Sequence, residues 1–305
     1  MQHAPWEDGV RTLPPRTPGG HKGTFGTVTI VGGSVGHGRY MVGAPALVAL
    51  GALRSGAGLA KIVASQEVLG HAMGVCPSAT GISLPERAPG ELEMAGAISV
   101  FDEQAGAAHA LVVGPGMGVG DVERAMVLRG VQQDQVPVVV DADAITNLAE
   151  IPELWRDFRA GAILTPHPGE FARLAKTLRV TQSATDDATR PAAASALAQK
   201  LGCVVVLKGQ GTVVSDGQRT WVCGRGHACL ATAGTGDVLA GVIGGLVAQH
   251  ARGGMSLFDA ARFGVEAHAR AGEAWASAHA AQAGLLAAEL ADEIPRQLEA
   301  FRPGG

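Results

Sequence analysis

The sequence predicts an α/β fold in which a central, mostly parallel sheet is covered by helices on both faces. Three observations carry that expectation. Short continuous runs of β-branched and apolar residues recur along the chain, too uniform for strands with one solvated face. Alanine-rich stretches of helical length separate them. Glycine, at 44 of 305 residues, is about twice its average usage and has no tripeptide period, which points to ligand loops and close helix–sheet packing.

The elements follow in order. Residues 1–22 are rich in Pro and Gly and read as an irregular arm, with one domain expected over 23–305. Thr27–Val31 is a β-branched strand ending in Gly32-Gly33-Ser34. Ala44–Ser55 is a helix, closed by Gly56-Ala57-Gly58 before a strand at Leu59–Ala64. Strands then fall at Ala110–Val113, Val136–Val140 and Ala162–Leu164. Their ends carry Gly114-Pro115-Gly116-Met117-Gly118, Asp141-Ala142-Asp143-Ala144 and Thr165-Pro166-His167-Pro168-Gly169-Glu170. A helix at Pro191–Leu201 leads to a strand at Cys203–Leu207, which ends in Lys208-Gly209. Thr212–Ser215 and Arg219–Cys223 flank Asp216-Gly217, a hairpin turn signal. The tail, Leu257–Leu298, is alanine-rich and helical, with breaks expected at Gly284 and Pro295.

Bulk properties narrow the function. Hydrophobic residues make up 47% but aromatics only 4%, so Ala, Val, Leu and Ile must build the core. A net charge of −4 and a pI near 6.2 leave no basic footprint for nucleic acid or an acidic membrane surface. The four cysteines show no CxxC pairing and are too sparse for a disulfide framework, so reduced thiols in a cytoplasmic protein are expected. The first residues carry Pro, Trp and charges where a secretory signal would carry an apolar run. Val238–Gln249, the longest apolar run, is interrupted by glycines and too short to span a bilayer.

In open α/β sheets ligands bind beyond the carboxyl ends of the strands, and here those ends share one rim. The most informative segment is Ala231-Thr232-Ala233-Gly234-Thr235-Gly236-Asp237, which runs into an apolar helix. Free N–H groups at such a helix start attract phosphate, and Asp237 on the first turn either complements the helix dipole or handles a proton there. Lys208, at the end of a very apolar strand and before Gly209-Gln210-Gly211, either reaches nucleotide phosphates or snorkels at a sheet edge. The Gly114–Gly118 segment reads as an anion nest, with a rigid turn as the alternative. Asp141 and Asp143 face the same way if the extended conformation continues; they then position hydrated Mg²⁺, or Asp143 merely caps a helix. His167, held between two prolines, either contacts substrate or fixes the backbone. The glycines at 32, 36 and 38 do not fit GxGxxG, and no GxxxxGK[ST] occurs, so a Rossmann dehydrogenase or P-loop enzyme is a poor match.

Taken together these segments resemble the ribokinase-like superfamily and, within it, the ADP-dependent NAD(P)H-hydrate dehydratases that repair damaged nicotinamide cofactors. The similar segments are His21-Lys22-Gly23, Gly32-Gly33-Ser34, Gly43-Ala44-Pro45, Ala52–Gly58, Gly114–Gly118, Asp141–Ala144, Thr165–Glu170, Lys208-Gly209 and Ala233–Asp237, in the family's order across roughly residues 20–290. The resemblance implies a catalytic base at Asp237 and an anion hole at Gly234, Thr235 and Gly236. It implies adenine-nucleotide contacts from Lys208, Gly209, Gln210, Gly211, Thr212 and Gly236, and a hydrated-nicotinamide pocket lined by Ala44, Gly118, His167 and Asp237. ADP or ATP with Mg²⁺ would phosphorylate the ring hydroxyl of the S epimer of hydrated NADH or NADPH. Elimination would then return NAD(P)H with AMP and phosphate. Relatives are often fused to an epimerase, which is expected here as a separate protein; the resemblance also implies a homo-oligomer, with a tetramer as one form. Two rivals remain, a vitamin or sugar kinase of the same superfamily and a nucleotide-binding regulator without turnover. Cysteine tends to replace Asp237 in the first, and a regulator needs no base.

Overall fold

The computed structural model describes residues 12–36 and 38–303, and its centre is a nine-stranded sheet. Numbered along the chain, its strands are β1 (Thr27–Val31), β2 (Leu59–Ala64), β3 (Thr80–Ser83), β4 (Ala110–Val113), β5 (Val138–Val140), β6 (Ala162–Leu164), β7 (Val204–Leu207), β8 (Val213–Ser215) and β9 (Thr220–Val222). Their spatial order is β9-β8-β7-β6-β5-β4-β1-β2-β3. Strands β1 to β7 run parallel, while β8 and β9 add antiparallel as the hairpin expected around Asp216-Gly217.

Strands β1, β4, β5, β6 and β7 are buried along their whole length, which is why they read as continuous apolar runs. Both faces are covered. Helices α1 (Ala44–Arg54), α8 (Thr235–His250), α9 (Leu257–His279) and α10 (Ala287–Glu299) close one core with the Val28, Ile30 and Ile62 side of the sheet. Helices α3 (Met94–Gly106), α4 (Asp121–Gln132), α5 (Asp143–Ala149), α6 (Pro168–Leu178) and α7 (Arg190–Leu201) close the other with Val31, Leu111 and Val113. A further helix, α2 (Gln66–Val75), leads to the edge strand β3.

Of the arm expected over 1–22, residues 1–11 lie outside the described residues. Residues 12–22 carry neither helix nor strand, but Leu13 is fully buried and donates its N–H to Phe301 O at 2.8 Å. The break expected at Gly284 is real: the residue has φ +101° and lies between α9 and α10. The break expected at Pro295 is not. Pro295 lies inside α10, where Leu290, Ala291, Ile294 and Leu298 are buried on one stripe, and that packing offsets the lost backbone bond. Among the described residues no helix is long and apolar enough to cross a membrane, and all four cysteines are free and buried.

Candidate active site

The carboxyl ends of β1, β4, β5, β6 and β7 bring the sequence motifs to one rim, and α8 begins there. Gly234 is the N-cap of α8 with φ +87°, and a Cβ there would stand 2.6 Å from Leu47 and 3.0 Å from Ala287. Only glycine fits that turn. Among the described residues the N–H groups of Gly236 and Asp237 have no acceptor, which is the anion-attracting start expected of such a helix. The Thr235 hydroxyl is not part of it, because it donates to Leu230 O and Thr232 O at 2.9 Å each. The Thr235 N–H also donates to Thr232 O at 3.4 Å, so the free amides of this start are those of Gly236 and Asp237.

Asp237 sits half-buried on the first turn, and its carboxyl is pushed up to about 7. Burial is the main cause, the negative charges of Asp141 and Asp143 add to it, and Lys208 opposes it. A carboxylate balanced near neutrality beside unpaired amides is suited to taking a proton.

Lys208 lies behind that turn. Its Nζ is 2.7 Å from Asp141 Oδ1 and 3.9 Å from Glu170 Oε2, and a Cβ on Gly236 would lie 3.7 Å from it. Its side chain is only 20% exposed, so the snorkelling alternative is ruled out. Burial pulls its pKa down, but Asp141, Glu170 and Asp237 outweigh that and hold it above the usual lysine value. The ammonium is thus already paired within the protein, one turn from the free amides.

The two aspartates do not lie on one extended segment. Ala142 between them takes φ +52°, which ends the extended conformation on which that expectation rested. Asp141 is buried and its Oδ1 accepts from Thr165 Oγ1 at 2.6 Å as well as from Lys208. Asp143 opens α5, and its Oδ2 accepts from Gly118 N at 2.9 Å. Among the described residues no group of three His, Cys, Asp or Glu side chains is placed to hold a metal ion.

Most amides of the Gly114–Gly118 segment are tied up within the protein, and among the described residues the Gly116 N–H alone lacks an acceptor. Gly114 donates to Val31 O, Met117 to Gly114 O and Gly118 to Asp143, while Pro115 has no N–H to give. The anion it binds is the protein's own aspartate. Gly116 allows close packing on Ala44, whose methyl would lie 3.1 Å from a Cβ at 116, and this brings buried Ala44 and Gly118 into one region. His167 takes its backbone-fixing role as N-cap of α6: Nδ1 accepts from Gly169 N and Glu170 N, and Nε2 is 3.3 Å from Glu170 Oε1. Half of its side chain stays exposed at the rim.

Beside the chemistry lies a cavity of about 470 Å³. Lys208, Gly209, Gln210, Gly211, Thr212, Thr235 and Gly236 line one side of it; Gly234 and Asp237 do not reach its wall. Leu230, Leu239, Val265 and Ala269 supply the cavity's apolar lining, with Cys223, Arg225 and His268 among the polar groups. Burial drives His268 down to about 4, so its ring is neutral, and Nε2 meets Thr235 O at 2.9 Å.

A family model described as NAD(P)H-hydrate dehydratase matches residues 28–296. The chain belongs to that family. It is 39% identical over 284 residues to the ADP-dependent (S)-NAD(P)H-hydrate dehydratase of Neisseria meningitidis, covering 90% of this chain and 86% of that one. It also spans about half the length of several bifunctional NAD(P)H-hydrate repair enzymes that it matches, such as that of Vibrio cholerae. Among solved structures, the ADP/ATP-dependent NAD(P)H-hydrate dehydratase of Bacillus subtilis, co-crystallised with ATP and Mg²⁺, superposes with TM-score 0.76 at 32% identity over 96% of each chain. A ribokinase-like superfamily protein of Enterococcus faecalis, at 22% identity, TM-score 0.73 and 95% and 93% coverage, shares the fold.

Several residues of this dehydratase-family site escape sequence reasoning. Asn147 Nδ2 donates to Gly118 O at 2.9 Å and steadies the turn. Glu170 reads only as a helix-start residue, yet it is buried beside Lys208 and its carboxyl is raised by that burial. Arg190, a helix-start arginine more than fifteen residues before the Lys208 loop, packs against that loop. The capping-box spacing of His167 to Glu170 is a usable signal; for Asn147 and Arg190 no local signal exists, because their partners are 29 and 18 residues away.

Proposed function

We propose that this protein is an ADP-dependent NAD(P)H-hydrate dehydratase acting on the S epimer of hydrated NADH or NADPH. One observation carries the reading: Asp237, held near neutrality, stands beside unpaired amides of a helix start at the edge of a nucleotide-sized cavity. The names of the Neisseria and Bacillus relatives support it.

Hydroxide is a poor leaving group and phosphate a good one, so the reaction is divided into two steps. In the first, Asp237 removes the proton of the ring hydroxyl as its oxygen attacks the terminal phosphorus of ADP, and AMP leaves. In the second, the carbon–oxygen bond breaks, the neighbouring ring carbon gives up a proton and the double bond re-forms, releasing phosphate and NAD(P)H. The amides of Gly236 and Asp237 and the Lys208 ammonium meet the charge of the moving phosphoryl group, where fixed donors contribute most. Mg²⁺ would neutralise phosphate charge when bound with the nucleotide. The donor set fits an ion held by phosphates and water, with Asp143 in the outer shell, and does not fit a cage of protein carboxylates.

The test is direct. Hydrated NADH mixed with the protein, Mg²⁺ and ADP regains the absorbance of the reduced nicotinamide, with AMP and phosphate formed one for one. A parallel reaction with ATP ranks the donors. Phosphorylated hydrate accumulating without NADH would favour a kinase, and no turnover with either nucleotide would remove the proposal.

A further inference from the structure

We propose that Arg190 is a positioning residue for the nucleotide, aiming the backbone amides of Gly209 and Gly211 at acceptor oxygens of a nucleoside diphosphate. The proposal rests on the reading of the cavity as the ADP site. Arg190 opens α7 with its side chain only 5% exposed. Nη2 donates to Leu207 O and Lys208 O at 3.0 Å each, and Nη1 donates to Gln210 O. In a trans peptide the N–H points opposite to the carbonyl before it. Turning the carbonyls of Lys208 and Gln210 back onto the guanidinium therefore turns the N–H groups of Gly209 and Gly211 away from it. Both glycines line the cavity, and among the described residues neither N–H has an acceptor. Gly209 has φ +143°, and a Cβ there would lie 2.8 Å from Arg190 Nη2, so the close approach requires glycine.

The placement is costly for any purely structural role. A cation at the first residue of a helix opposes the helix dipole, and the α7 N-cap, Thr189, makes no side-chain capping bond. Among the described residues the one carboxylate in reach is Asp187, 3.5 Å away and 70% exposed, and the buried Nε has no partner. What the guanidinium holds in return is the geometry of one loop, through three carbonyls that a planar fork can reach together.

The experiment measures ADP binding by calorimetry, without hydrate, for the wild type, Arg190→Met and Arg190→Lys, with circular dichroism to verify folding. Arg190→Met is expected to raise both the Kd and the KM for ADP about tenfold, the scale of lost charge-assisted hydrogen bonds. The pH midpoint of the rate should stay at its wild-type value, because Arg190 acts on binding and not on Asp237. Arg190→Lys should fall between the two, since an ammonium cannot span three carbonyls; it serves as the test should the Met variant not fold. Wild-type ADP affinity in a folded Met variant, or in Arg190→Lys where Met fails to fold, overturns the role of Arg190 alone. A wild-type protein that binds no ADP overturns the reading of the cavity instead.

Discussion

At the scale of single residues, Asp237 ties activity and stability to pH in opposite directions. As the proposed base it would work deprotonated, so kcat/KM should rise with pH through a midpoint near 7, the value to which burial and the neighbouring aspartates push it. Folding has the reverse sign. An acid whose folded pKa stands above its unfolded value of 3.8 binds more protons in the native state between about pH 4 and 7, so stability falls as pH rises across that window. Asp237→Asn removes both effects: turnover should drop by at least about 10²-fold, the lower range for a lost general base, while the variant melts several degrees higher than wild type at pH 8. That thermal advantage should vanish at pH 4, where the wild-type acid is protonated as well. Equal melting temperatures at pH 8 would mean that the carboxylate is not strained by its site. Lys208 makes a complementary case. Lys208→Ala leaves Asp141 buried without its cation, and such a loss costs about 3–5 kcal/mol, whereas Lys208→Ala combined with Asp141→Ala should recover much of it. Additive melting shifts in the double variant would show that the pair is not coupled.

At the scale of elements, what could be read from the sequence was what a local pattern specifies. The buried parallel strands announce themselves as β-branched runs, and the small residues before α8 announce a tight, glycine-capped helix start, because both depend on residues adjacent in the chain. Strand β3 did not, since its edge position leaves Thr80–Ser83 largely exposed and compositionally plain. The end of the extended run between Asp141 and Asp143 is not legible in the sequence, because it comes from the positive φ of Ala142, which an alanine does not advertise. The glycines of α1 and α8 carried a further message. A Cβ at Gly51 would stand 2.4 Å from Val238 O, one at Gly241 2.1 Å from Val48 O, and one at Gly245 1.9 Å from Ser55 Oγ. At Gly51 and Gly241 backbone meets backbone, so neither side can yield by rotating a side chain; at Gly245 the Ser55 hydroxyl is met first and the Ala52 carbonyl next, at 2.8 Å. Gly241→Ala should therefore destabilise the protein by about 1–3 kcal/mol or more and displace α8 from α1, lowering turnover together with stability. An unchanged melting temperature in that variant would contradict the packing described here, given that alanine is otherwise the better helix former.

At the scale of the whole molecule, the site cannot form on one face of the sheet alone. Asp237 comes from α8, which packs in the core with Val28 and Ile30, while Asp143 and Glu170 come from α5 and α6, which pack in the core with Val31 and Leu111. Lys208 reaches from the sheet itself to Asp141 and Glu170, with Asp237 close enough to raise its pKa. A nucleotide that touches the Lys208–Thr212 turn and the start of α8 therefore binds a surface that exists only when both layers are docked. Binding to the native state alone stabilises by RT ln(1 + [ADP]/Kd), about 2.7 kcal/mol at a hundredfold excess over Kd. For a chain of this size that amounts to a rise in melting temperature on the order of 5 °C. The expected outcome in a calorimetric scan is a single transition that moves upward as a unit with ADP and does not split. Two transitions, with ADP shifting one and leaving the other in place, would show that the layers unfold independently and that the nucleotide holds only one of them.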